Sequence, residues 1–130
     1  MSEPALHTII GMISGTSMDG IDIALLQTDG LDRVEFGPAD TRPYPAALRQ
    51  ELIDFLHDPA RAMTDPLTAL EEKVTTCFSQ ALLEFLHDHS LTPAAIDLVG
   101  LHGQTVYHNP ARRFTRQLGN GEHMRRQTGI

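Results

Sequence analysis

Three segments near the start of the chain carry strand patterns. Leu6–Met12 is an apolar run, and Ile21–Leu26 alternates, with Ile21, Ile23 and Leu25 on one face and Asp22, Ala24 and Leu26 on the other. A weaker strand is predicted over Arg33–Thr41, after a turn at Asp29-Gly30. Helical spacing then takes over. Ala46–Leu56 places Leu48, Leu52, Phe55 and Leu56 on one stripe. His57–Thr64 reads as a linker. Asp65 and Pro66 read as the N-cap and first residue of a long helix, in which Leu67, Leu70, Val74, Phe78, Leu82 and Phe85 recur every three or four positions. Ile96–Leu101 reads as a buried strand ended by His102-Gly103-Gln104, with a second short strand at Thr105–Tyr107 stopped by Asn109-Pro110. Glu122–Gln127 begins a helix, and Thr128-Gly129-Ile130 reads as the entry to another strand. The pattern predicts an α/β fold: a mixed sheet built on an N-terminal hairpin or meander, followed by helices and a strand that returns to the sheet.

The chain has 130 residues, room for one modest core. Its formal charge of -7 argues against nucleic acid or an anionic membrane as a partner. The single cysteine, Cys77, lies in an apolar helical pattern and fits packing in a reducing compartment, so a cytoplasmic location is expected. No segment approaches the length of apolar residues that a membrane span requires. The end of the chain has the look of a cut, which gives the expectation of a fragment.

Chemistry concentrates between the first two strands. Ser14, Gly15, Thr16 and Ser17 offer hydroxyls and N–H donors in a tight turn, a place to hold a phosphate. Gly15 leaves room for a phosphoryl oxygen, and Gly20 permits a positive φ. Asp19 is a candidate Mg²⁺ ligand, and Asp22 either reaches the same ion or braces the loop. The alternative is a hairpin whose Asp, Ser and Thr side chains cap their own backbone. No Walker A or dinucleotide fingerprint is present. His102 and Gln104, flanked by glycines at a strand end, are candidate sugar contacts or simply polar residues that tie a loop together. Gly119-Asn120-Gly121 opens a helix whose free N–H groups can hold a carboxylate or sugar oxygen, or is a plain turn. Arg112, Arg113 and Arg116 form a basic patch, and His87-Asp88-His89 resembles a metal cluster only in composition.

Taken together, GTSMDGID (Gly15–Asp22), LVGLHGQTVYHNP (Leu98–Pro110) and QLGNGEHMRRQTGI (Gln117–Ile130) resemble the anhydro-N-acetylmuramic acid kinases of bacterial cell-wall recycling. The resemblance implies the N-terminal lobe of a two-lobe fold shared by sugar kinases, actin and the 70-kilodalton heat-shock proteins (ribonuclease H-like), with ATP between the lobes. Residues 1–130 would be the first lobe, and the second would be absent. It implies nucleotide binding by Gly15, Thr16, Ser17, Met18, Asp19, Gly20, Ile21 and Asp22, and Mg²⁺ at Asp19 or Asp22. Relatives of the fold carry an aspartate ahead of the glycine turn, where this chain has Met12-Ile13-Ser14. It further implies 1,6-anhydro-N-acetylmuramic acid as substrate, met by His102, Gln104 and Asn120. The catalytic base would be an aspartate beyond Ile130, so 1–130 alone is expected to be inactive. Exposed apolar surface on such a piece is expected to favour association, including a homodimer.

Overall fold

The computed structural model describes residues 2–130. Strands β1 (His7–Ser14), β2 (Ile21–Thr28) and β3 (Val34–Arg42) form the predicted antiparallel meander. Helices α1 (Ala46–Leu56), α2 (Pro59–Thr64) and α3 (Thr68–Asp88) follow. Strand β4 (Leu98–Asn109) then returns parallel to β1, β5 (Phe114–Leu118) folds back along it, and α4 (Gly121–Thr128) closes the described chain. The five strands are ordered β3-β2-β1-β4-β5.

The alternation in β1 and β2 decides which face is covered. Ile10 and Met12 of β1, with Ile21, Ile23 and Leu25 of β2, are buried under the apolar stripes of α1 and α3, where Leu52, Phe78, Leu82 and Phe85 are almost wholly enclosed. The opposite face is bare, with Ile13, Leu98 and Phe36 exposed. Cys77 is half-buried in α3, and burial pushes its thiol up to about 11, so it packs as an un-ionised group.

Five details depart from the sequence reading. Residues 57–64 are more than a linker: Pro59 occupies the first helical position, where its fixed φ favours a helix, and Ala62 packs inward to give α2. Asp65 does not cap α3. Its carboxylate accepts the Leu67 N–H (2.9 Å), Leu67 turns left-handed (φ 58°), and the helix starts at Thr68. That same N–H, with help from Arg61, holds the Asp65 carboxyl below its ordinary value. His102-Gly103-Gln104 does not end a strand, because Gly103 at φ 80° absorbs a bulge and β4 runs on as one strand. The 112–116 arginines flank and enter β5, a short edge strand with Phe114 against Tyr107. Thr128-Gly129-Ile130 is a helix end: Gly129 adopts φ 79° and its N–H bonds the Arg125 carbonyl.

Candidate functional site

The loop between β1 and β2 is a tight turn. The Met18 N–H donates to the Gly15 carbonyl (3.1 Å), and Met18 takes a left-handed conformation (φ 57°) with its side chain fully buried. Such a backbone costs a residue with a Cβ about 1–2 kcal/mol, and burying a methionine side chain returns about 1.5–3 kcal/mol. The loop is therefore pinned to the core by its own middle. Gly20 is required for a different reason than its φ. A Cβ there would lie 2.6 Å from the Arg42 carbonyl oxygen, so only glycine lets the loop return against the end of β3.

Two side chains from elsewhere hold the turn. Gln104 is completely buried on β4, and its Nε2 donates to the Gly15 carbonyl (3.1 Å) and the Thr105 carbonyl (2.9 Å). Its Oε1 accepts from the Tyr44 hydroxyl (3.0 Å). Arg49 of α1 donates through Nε to the Met18 carbonyl (3.2 Å), and its Nη2 lies 3.4 Å from Asp19 Oδ1. Gln104, expected on the sugar side, thus lies beneath the loop with both amide hydrogens engaged. Neither Tyr44 nor Arg49 belongs to a motif; only their packing reveals them. Burial pushes the Tyr44 hydroxyl well above its usual value, which keeps it a neutral donor.

The glycine segments converge in pairs. The bulge inserts His102 between the Met12↔Leu101 and Ile13↔Gly103 pairs, which shifts the register just where β1 enters the loop. An added Cβ on Gly103 would strike the Leu118 carbonyl oxygen, and one on Gly119 would lie 3.3 Å from Gly103 Cα. Loop 15–20, the bulge and the 118–119 turn are thereby packed in sequence. Asn120 caps α4, its Oδ1 accepting the His123 N–H (3.0 Å), while its own N–H is taken by Thr75 Oγ1 (3.0 Å).

The Asp19 and Asp22 side chains have different partners. Asp19 is paired with Arg49 of α1, whereas Asp22 accepts from the Thr41 hydroxyl (2.6 Å) and lines a cavity of about 760 Å³ on the bare face of the sheet. Gly11, Ala24 and Gly100 also line that cavity, and His102 reaches it. The two acids sit three positions apart along a chain that turns into a strand between them, so their side chains find different partners. Among the described residues no group of three or more His, Cys, Asp or Glu is arranged to hold a metal. In the His87-Asp88-His89 segment, His89 bonds Asp40 (3.1 Å) and Asp88 pairs with Arg42. No helix among the described residues is long and apolar enough to cross a membrane.

Residues 7–130 match the family model described as anhydro-N-acetylmuramic acid kinase. The chain belongs to that family. Curated relatives named anhydro-N-acetylmuramic acid kinase include a Brucella canis protein, 44% identical over 133 residues that cover 98% of this chain and 35% of that protein. A Rhodopseudomonas palustris relative is 40% identical over 122 residues, 90% of this chain and 33% of its own length. One from Rhizobium etli is 40% identical over 131 residues, 96% of this chain and 35% of its own. The chain spans about a third of the length of the curated relatives it matches. The α/β sheet with helices fits the fold that the three glycine motifs implied.

Proposed function

We propose that this chain is the N-terminal lobe of an ATP-dependent kinase. The enzyme phosphorylates O6 of 1,6-anhydro-N-acetylmuramic acid while water opens the anhydro bridge at C1, giving N-acetylmuramic acid 6-phosphate and ADP. The observation that carries the reading is the 15–20 turn, fixed from below by Gln104 and from the side by Arg49, in a chain that matches the kinase family over nearly its whole length. A turn held by its carbonyls presents amide hydrogens to an anion, and preorganised donors of that kind stabilise a transferring phosphoryl group without reorganising during the reaction. Thr16 and Ser17 add hydroxyl donors.

The residues fit a triphosphate better than they fit a metal. Mg²⁺ that travels with ATP keeps phosphate and water ligands. Asp19, largely exposed, is the loop carboxylate able to meet such a water, and Asp22 is directed to Thr41 instead. His102, open to the bare-face cavity, is the candidate for the sugar side, whereas Gln104 and Asn120 support the site through backbone contacts. A carboxylate must accept the proton of the attacking water. No acid of this chain is assigned that role, which falls to sequence outside it.

The test is turnover of the full-length protein with ATP and the anhydro sugar in ¹⁸O-labelled water. The expected product is the 6-phosphate with ¹⁸O at C1. Phosphorylation with the anhydro ring intact would assign an ordinary hydroxyl-directed sugar kinase. Absence of any ATP-dependent product would reject the kinase reading.

A further inference from the structure

The peptide unit is planar and trans, so a carbonyl pulled one way aims the following N–H the opposite way. No cis peptide occurs among the described residues. The Gly15 carbonyl is drawn inward by Gln104, which turns the Thr16 N–H away from the core. The Met18 carbonyl is drawn by Arg49, which turns the Asp19 N–H away from α1. Neither of these N–H groups has an acceptor among the described residues, while the Met18 N–H between them is used to close the turn. The two tethers therefore select which donors the loop presents.

Gln104 does this only in one orientation. Its two amide hydrogens face two carbonyl oxygens, and a flipped amide would set oxygen against oxygen at both. Those two carbonyls therefore fix which end is nitrogen, and the Tyr44 hydroxyl, 60 positions away in sequence, donates to Oε1 (3.0 Å) and holds that end in place. The Gln104 amide and the Tyr44 hydroxyl are buried, where an unpaired amide or hydroxyl is costly.

We propose that Gln104, braced by Tyr44, is a positioning residue that sets ATP affinity from beneath the loop by aiming the Thr16 N–H at the nucleotide's phosphates. The inference rests on the kinase reading above and adds to it the device that shapes the site. Gln104 touches no reacting atom in this account; it acts through the Gly15–Thr16 peptide. The expected signature is a change in ATP KM with little change in sugar KM.

The experiment compares steady-state kinetics of the full-length kinase with those of Gln104→Glu and Tyr44→Phe. Gln104→Glu is isosteric and turns the donating end into an oxygen facing two carbonyls. ATP KM is expected to rise about tenfold or more, the equivalent of one lost hydrogen bond. Tyr44→Phe keeps the ring, removes only the bracing hydroxyl and leaves Gln104 Oε1 without that partner, and a rise of about threefold to tenfold is expected. Sugar KM is expected to stay within about twofold of wild type in both. Phe85→Leu, a buried residue whose ring packs on His89 and not on Tyr44, serves as a core control that lowers the melting temperature without changing ATP KM. If Gln104→Glu does not fold, Tyr44→Phe alone decides. Active variants with unchanged ATP KM, or with ATP and sugar KM raised alike, overturn the positioning role while leaving the kinase reading intact. Wild-type protein that neither binds nor consumes ATP overturns both.

Discussion

Replacement of Gly103 by alanine is the sharpest local perturbation of the site. Gly103 sits at φ 80°, and an added Cβ would meet the Leu118 carbonyl oxygen, with the Leu118 carbonyl carbon 3.1 Å away. The left-handed backbone costs a residue with a Cβ about 1–2 kcal/mol. Forcing packed backbone aside costs a further 1–3 kcal/mol or so, because a carbonyl in a strand cannot rotate away as a side chain can. The sum is about 2–5 kcal/mol, a large share of the roughly 5–15 kcal/mol that holds a typical domain. With a urea m-value of about 2 kcal/mol per molar, the midpoint is expected to fall by roughly 1–2.5 M. The matched control is Gly11→Ala. Gly11 lies on β1 with nothing within 4 Å of an added Cβ, so alanine there is expected to be neutral or to stabilise by about 0.5–1 kcal/mol. Urea unfolding of wild type and both variants decides the matter. A Gly103→Ala midpoint equal to that of Gly11→Ala would refute the argument that the bulge is locked by its contact with β5.

Three further outcomes follow from named groups. At Met18, alanine keeps the left-handed strain and loses the buried side chain, whereas glycine loses the side chain but relieves the strain; Met18→Gly is expected to be more stable than Met18→Ala by about 1 kcal/mol, the reverse of the usual order, as read by thermal unfolding. The Asp40 carboxyl is held below its ordinary value of 3.8, first by its hydrogen bond with His89 and then by Arg42. Its contribution is complete above that ordinary value and is lost as pH falls through the lower folded value, so stability should drop less steeply in Asp40→Asn than in wild type as the pH is taken below that ordinary value. In the full-length kinase, Asp19→Asn is expected to lower kcat and raise the Mg²⁺ concentration needed for half-maximal rate, while Asp22→Asn changes neither by more than about twofold; equal effects from both would show that the two acids act together after all.

The parts of this fold that were legible in sequence are those where one face is buried and the other is not. Ile21, Ile23 and Leu25 alternate with Asp22 and Ala24, and that period alone predicts both the strand and its covered face. The stripe from Leu70 to Phe85 is equally plain, because a helix packed on a sheet must present apolar residues every three or four positions. Strand β5 is not legible: it is a short edge strand that carries Arg116 and meets little core apart from Leu118. The start of α3 is obscured in sequence because Asp65 does capture an N–H, but that of Leu67 in a local turn and not that of a helical residue. At the candidate site, the composition of loop 14–22 is what nominates the place, and Gly103 flags an interruption in β4. What composition could not supply was connectivity. Gln104 has the same one-letter identity whether it faces a sugar or a carbonyl, and Tyr44 reaches it only because α1 brings the 43–45 connection under the loop.

The central claim is that the amides of the 15–20 turn grip the terminal phosphates of ATP. The direct measurement is a crystal structure of the full-length protein with a non-hydrolysable ATP analogue. Phosphoryl oxygens are expected at hydrogen-bond distance, about 2.7–3.2 Å, from the Thr16 and Asp19 main-chain nitrogens. A well-ordered triphosphate bound elsewhere, with those two nitrogens meeting only solvent, would contradict the account.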